Sequence, residues 1–179
     1  MSLTKVQNRT LEVHGQTGSI SDDLSVGRSL RMHIKQIQPG DFDLWRPLWQ
    51  GFLDHDKASL SEETTRLTFE RMADPSHTSM EGLLALDGSG AGLGMVTIIF
   101  HPSTFQKNDR CYLEDLFVSP AARGQGVGRA LIDGVCDLAR ERKADKVYWQ
   151  TYATNETARR LYDTMAEQSH LIYQIKLNS

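Results

Sequence analysis

Between a strand-like run ending at Val118 and a long amphipathic run beginning near Gly126 lies Arg123-Gly124-Gln125-Gly126-Val127-Gly128-Arg129. Glycines let main-chain N–H groups approach an anion closely, and a helix start adds unpaired donors and a partial positive charge. Arg123 and Arg129 add formal charge suited to a pyrophosphate. Taken alone, the glycines also suit a strand-to-helix turn that binds nothing. Spacing narrows the chemistry. A Walker loop requires Gly-Lys-Ser/Thr, whereas Gly128 is followed by Arg129-Ala130. The dinucleotide fingerprint requires G-x-G-x-x-G, whereas the spacing here is G-x-G-x-G.

Just upstream, Glu114 and Asp115 are adjacent carboxylates on a strand, and strand alternation predicts that they face opposite sides of the sheet. Tyr162 shares an apolar helical face with Ala158, Leu161 and Met165, which by periodicity alone describes a core tyrosine. Cys111 has no activating neighbour in sequence. The six histidines (His14, His33, His55, His77, His101, His170) show no metal-ligand spacing. Gly88-Ser89-Gly90 is a turn and not a nucleophile elbow. Residues 41–81 carry nine acids against four bases, an acidic stretch that would attract a cationic acceptor if it lined a cleft and is otherwise a solvated helical face.

The elements that must position these groups read as mixed α/β. Strands are predicted at 30–37, 82–86, 93–100, 110–118, 147–152 and 171–177. Asp87-Gly88-Ser89-Gly90 closes a hairpin between the second and third. Helices are predicted from Pro39-Gly40-Asp41 through Phe52, from a Ser61 cap to Met72, from Gly126 to Lys143, and from Asn155 to Met165. In the third helix Val127, Ala130, Leu131, Gly134, Val135 and Leu138 recur at helical spacing, so that face packs on a sheet. Cys136 lies beside it as a packed thiol.

At 179 residues, one domain is the expectation, and a chain of this size buries roughly 70% of its surface. The net charge of −3 gives no basic excess for nucleic acid or an anionic membrane. Two cysteines are too few for a disulfide scaffold, and a reduced, cytoplasmic setting fits. No apolar run reaches membrane-span length. Residues 1–29, rich in Ser, Thr, Gly and Gln, read as an N-terminal extension, a tag remnant or arm, ahead of a domain over 30–179.

The pattern Arg-x-x-Gly-x-Gly at 123–128 resembles the acetyl-CoA signature of the GNAT N-acetyltransferase superfamily. The resemblance extends over residues 30–178. It takes in Trp45-Arg46-Pro47-Leu48-Trp49, Asp74-Pro75, the strand Tyr112 to Pro120, the strand Tyr148-Trp149-Gln150-Thr151, and Asn155 to Asp163. Within the superfamily the chain most resembles the branch of yeast Hpa-type acetyltransferases and, in Tyr112-Leu113-Glu114-Asp115, the spermidine/spermine acetyltransferases. It departs from the usual pattern at Asp163-Thr164-Met165-Ala166-Glu167, where a Lys/Arg-Leu-Gly-Phe-like turn is common.

The resemblance implies a mostly antiparallel central sheet of about six to seven strands flanked by about four helices. It implies acetyl transfer from acetyl-CoA to a primary amine (a polyamine, lysine or other small cationic amine), by direct attack in a ternary complex and without a metal. Main-chain groups of Leu116, Phe117 and Val118 would hold the pantetheine arm, and Arg123, Gly124, Gln125, Gly126, Val127, Gly128 and Arg129 the pyrophosphate. Asn155 and Arg159 would be further coenzyme contacts. Glu114 would be the general base, with Asp115 its alternative. Tyr162 would touch the coenzyme and protonate the departing thiolate. A homodimer is implied on the same ground. A non-catalytic acyl-CoA sensor on the same fold stays open at this point, as does a more distant nucleotide-binding regulator.

Overall fold

The computed structural model describes the main chain of Arg9–Leu11 and residues 32–177. The sheet is built from β1 (Arg9–Leu11), β2 (Met32–Gln36), β3 (Met80–Asp87), β4 (Gly92–His101), β5 (Arg110–Val118) and β6 (Val147–Trp149), in that spatial order. All neighbours are antiparallel except β5 and β6, which run parallel. The helices are α1 (Phe42–Asp56), α2 (Glu62–Ala73), α3 (Val127–Glu141) and α4 (Glu156–Tyr162). The expected mixed sheet with helices on both faces is therefore present. Apart from β1, the extension over residues 1–29 lies outside the described residues.

Each face of the sheet buries its own cluster. On one side α3 turns Val127, Ala130, Leu131 and Val135 onto Leu83, Val96, Ile98, Cys111 and Leu113. On the other, Trp45, Leu48, Trp49 and Leu53 of α1 and Phe69 and Met72 of α2 cover Leu84, Leu86, Met95 and Phe117. Trp45 and Trp49 stack at 5.2 Å, and the Phe69 ring lies 5.3 Å from Trp45.

Local signals explain the ends of several elements. Ser61 caps α2 by accepting from the Thr64 N–H at 3.0 Å, and Asp74-Pro75 follows its last turn. The Asp87 carboxylate accepts from the Ser89 and Ala91 amides and holds the β3–β4 turn, where Gly90 takes φ +89°. Arg142, just past α3, pairs with the buried Glu81 and covers the Phe100 ring at 4.3 Å, which pins that end of the helix to the sheet.

Three expectations change at the C-terminal end. The strand predicted over 147–152 stops at Trp149. The helix predicted to Met165 ends at Tyr162, where the Thr164 hydroxyl donates to the Leu161 carbonyl at 2.7 Å and competes with helix continuation. The strand predicted over 171–177 is not formed: the segment pairs with none of the described residues, and its apolar side chains stand exposed.

Candidate active site

The two C-terminal strands diverge like a fork. Pairing between β5 and β6 covers Cys111–Val147, Tyr112–Tyr148 and Leu113–Trp149, and then ends. On its other side β5 stays paired with β4 as far as Val118. The Ser119 N–H donates to the Leu93 carbonyl at 2.9 Å, so Phe117 and Ser119 turn their main-chain groups to β4. By alternation Leu116 and Val118 turn theirs into the opening of the fork. Phe117 differs from the expectation: its main chain belongs to the β4 ladder and its ring fills the α1-side core.

At the start of the fork the alternation of β5 is broken. Thr97 pairs with Asp115 and Ile98 with Leu113, which leaves Glu114 as an extra residue. This is a β-bulge, and it changes the parity of the strand. Leu113, Leu116 and Val118 all pack on the α3-side core, which is impossible for uninterrupted alternation, while Phe117 packs on the other. The expectation that Glu114 and Asp115 face opposite sides is thereby corrected. Glu114 follows Tyr112 in the register before the bulge, and Asp115 precedes Phe117 in the register after it. Both carboxylates therefore lie on the α1 side of the sheet.

Electrostatics agree with that placement. Burial, then the charge of Glu114, then that of Asp56 at the end of α1, push the Asp115 carboxyl up to about 7, against a smaller pull from the Thr97 hydroxyl. Burial also raises Glu114. Burial and the neighbouring Glu114, Tyr148 and Asp115 raise Tyr112 to about 12. The Tyr112 and Tyr148 rings are 5.0 Å apart, and the Tyr148 hydroxyl lies 2.7 Å from His101 Nε2. An aromatic wall thus runs up to the two carboxylates, a neighbourhood that sequence spacing did not disclose.

The acidic stretch over 41–81 divides into structural and free members. Asp41 pairs with Lys35 at 2.7 Å, Glu62 with Arg66 at 3.0 Å, and Glu81 with Arg142. Asp74 accepts from Ser76 and is held below the usual carboxylate range by those bonds. Asp56 is the member whose charge reaches the bulge.

The glycine loop continues from the end of β5. Gly124 and Gly126 adopt φ +75° and +81°, the left-handed region that glycine enters without strain. Gly126 is also the N-cap of α3, so no side chain caps that end, and the first-turn amides have no carbonyl four residues back within the helix. Gly128 lets α4 approach closely, since a Cβ there would lie 3.1 Å from Leu161. This cradle fits a pyrophosphate.

The remaining predicted contacts are partly engaged within the protein. Arg123 Nε donates to the Val118 carbonyl at 3.3 Å, and Gln125 to the Ala121 carbonyl at 2.9 Å. Arg129 donates to the Thr164 hydroxyl at 2.6 Å and ties α3 to the turn after α4. Asn155 caps α4 by accepting from the Ala158 N–H at 3.2 Å, and Arg159 donates to the Ala153 carbonyl at 2.9 Å. Tyr162 ends α4 with its ring 5.3 Å from Trp149 of β6, edge to face, and burial raises its hydroxyl pKa. Cys111 is buried and pushed up to about 12, which leaves it a protonated, inert thiol at neutral pH.

A mixed sheet forked between two parallel strands, with a glycine cradle at the end of one of them, defines the architecture of acetyltransferases of the GNAT type. Residues 43–166 match the acetyltransferase (GNAT) family, and the chain belongs to it as an N-acetyltransferase. The D-amino-acid N-acetyltransferase HPA3 of Saccharomyces cerevisiae is 34% identical over 137 residues, spanning 76% of this chain and 84% of that protein. The thialysine N-epsilon-acetyltransferase of Bos taurus is 28% identical over 116 residues, 63% of this chain and 68% of that protein. Among solved structures, aminoglycoside N-acetyltransferase AAC(6')-Iy in complex with CoA superposes with a TM-score of 0.73 at 16% identity, over 86% of this chain and 99% of that one. Among the described residues no helix is long and apolar enough to cross a membrane.

Proposed function

We propose that this enzyme transfers acetyl from acetyl-CoA to the primary amine of a small cationic acceptor, by direct attack in a ternary complex. The observation that carries the reading is the fork: β5 leaves β6 after Leu113, and its open main-chain groups lead to the glycine cradle. Leu116 and Val118 would hold the pantetheine arm as a missing neighbour strand, and the loop from Arg123 to Arg129 the pyrophosphate. Asn155 and Arg159 would be further coenzyme contacts. Bound acetyl-CoA supplies a thioester carbonyl for the amine to attack.

The side chains handle the protons. An amine acceptor arrives as an ammonium and must be neutral to react, so Glu114 at the bulge, with Asp115 beside it, accepts its proton. Tyr162 holds a phenolic proton, retained by its burial, for the departing sulfur. The protonated Cys111 gives no route through an acylated enzyme. Asp56, Glu114 and Asp115 attract a cation, and the Tyr112 and Tyr148 rings add faces for an alkylammonium. Two free cysteines fit a cytoplasmic setting, and the enzyme is read as a homodimer.

The test is CoA release from acetyl-CoA with polyamines, free amino acids of both hands, lysine peptides and aminoglycosides, beside Tyr162→Phe and Glu114→Gln. Acceptor-dependent release that falls at least tenfold in each variant, about 1.4 kcal/mol of transition-state stabilisation, is expected. Acceptors with additional positive charge should show the lower KM at low salt. Thermal stabilisation by acetyl-CoA with no release for any acceptor would overturn the catalytic reading. Absence of both would overturn the coenzyme site.

A further inference from the structure

The two ends of the aromatic wall carry opposite charge. Cys111 and Leu113 of β5 pack in the α3-side core, so alternation places Arg110 and Tyr112 on the α1 side with Glu114. Val147 and Trp149 of β6 pack on that same core, which places Lys146 and Tyr148 on the α1 side. Cys111 pairs with Val147 and Tyr112 with Tyr148 across the parallel strands. Arg110 and Lys146 therefore hold neighbouring positions just before the two rings. Lys146 Nζ lies 5.3 Å from the centre of the Tyr148 ring. Glu114 and Asp115 stand beyond the rings, at the bulge. One face thus runs from two cations, past two rings, to two carboxylates.

The cationic end is not consumed within the protein. Arg110 Nε is buried and has no hydrogen-bond partner among the described residues. No carboxylate among them pairs with Arg110 or Lys146. The acids next to them in sequence, Asp109 and Asp145, are joined through the main chain, where the Asp145 N–H donates to the Asp109 carbonyl at 2.9 Å. His101, opposite Arg110 on β4, is engaged elsewhere. Its Nδ1 lies 2.9 Å from the Pro102 carbonyl, which can only accept, so Nδ1 carries the proton and Nε2 accepts from the Tyr148 hydroxyl at 2.7 Å. That bond fixes the Tyr148 ring between the two charged ends. A buried guanidinium N–H left without an acceptor carries a desolvation cost that a bound carboxylate would remove.

We propose that Arg110 and Lys146 determine acceptor specificity by binding a carboxylate at the far end of the acceptor, while its amine meets Glu114 and Asp115. The acceptor is then bipolar: a primary amine joined to a carboxylate by an extended chain. From position 110 to position 114 the strand rises roughly 13 Å, at about 3.3 Å per residue. An α-amino acid is too short to touch both ends, whereas three extended peptide residues span roughly 10 Å. The rings of Tyr112 and Tyr148 give the middle of that chain an apolar floor. Added positive charge helps beside the reacting amine, where Asp56 also acts, and hinders at the far end. The inference rests on the amine reading of the site and narrows it to this acceptor class.

The experiment compares kcat/KM for triglycine and triglycinamide, which differ only at the far end, in the full chain and in Arg110→Gln and Lys146→Gln. Triglycine should exceed triglycinamide at least fivefold in the parent. Each variant should cut that ratio at least threefold through the KM of triglycine, with the KM for acetyl-CoA and the rate with triglycinamide unchanged. Lys146 is exposed, so its variant carries the test even where Arg110→Gln does not fold. The ratio should be smaller for diglycine over its amide, whose chain falls short of Arg110, and a larger one would overturn the spacing on which the inference depends. A ratio of one or below in the parent, or one that survives in both folded variants, would overturn the inference and leave amine acetylation standing. So would turnover of a diamine and of neither tripeptide. CoA release with none of these amines would overturn the amine reading of the site, and the inference with it.

Discussion

The sheet has two halves of unlike character. From β2 to β5 it is covered on both faces, and Trp45, Leu84, Met95, Ile98 and Leu131 are wholly buried. Beyond β5, β6 is only half-buried along its three residues, α4 has no buried residue, and residues 171–177 are exposed. The first half is stabilised by its own side chains. The second presents main-chain groups, a glycine cradle and an edge that no described residue pairs with. The catalytic candidates stand at the boundary: Glu114 and Asp115 on the last well-packed strand, and Tyr162 across the fork.

The largest expected effect lies in the packed half. Trp45→Ala empties a fully buried site among the rings of Phe42, Trp49 and Phe69 and should lower stability by about 3–5 kcal/mol in urea unfolding. Leu161→Ala, on the partly buried face of α4, should cost below about 2 kcal/mol, and saturating acetyl-CoA should recover much of the loss in Tm. Equal losses without acetyl-CoA would break the contrast.

Smaller is the effect of Gly51→Ala in α1. A Cβ there would lie 2.6 Å from Phe117 Cζ, so the variant should lose about 1–3 kcal/mol. Phe117→Leu in the same chain should restore part of it, as a double-mutant cycle would show. Gly126→Ala meets no atom within 4 Å, but its φ of +81° strains any other residue by about 1–2 kcal/mol. It should weaken acetyl-CoA binding in calorimetry. Gly40→Ala, equally uncrowded and without a positive φ, should stay within about 0.5 kcal/mol of the parent and bind normally.

A further effect depends on pH. The Asp115 carboxyl is raised in the folded chain to about 7, above its value in an unfolded one. Its contribution to stability is therefore full below about pH 4 and is lost as the pH rises through 7. Asp115→Asn should gain stability relative to the parent between pH 5 and 8 and converge with it below pH 4, read from Tm against pH. For activity the sign is opposite: kcat/KM should rise with pH through the same window if the ionised pair accepts the proton. A flat profile in both would separate Asp115 from the site.

Much of the packed half was legible in the sequence. Helical periodicity in α3, the Ser61 cap, the turn at Asp87 to Gly90 and the limits of β5 follow from local chemistry, because each depends on residues within one or two turns of the chain. The glycine loop was legible for the same reason: left-handed backbone next to a helix start needs glycine, and spacing separates this cradle from other phosphate loops. The apolar alternation at 171–177 was equally plain, but a strand also requires an edge to pair with, and this segment pairs with none among the described residues.

What the amino-acid sequence determined by itself was local: which segments are amphipathic, where they stop, and where the main chain is free to cradle an anion. Tertiary structure decided which side each reactive group faces. One extra residue against Thr97 reverses the parity of β5 and brings Glu114 and Asp115 onto the same side, because alternation counts hydrogen-bonded partners and not residues. It also decided which acids of the 41–81 stretch are held by Lys35, Arg66 and Arg142 and which one, Asp56, acts on the bulge. Glu62 and Arg66 lie one helical turn apart, but Glu81 and Arg142, like Asp56 and Asp115, lie far apart in the chain, and only the folded sheet brings them within reach of each other.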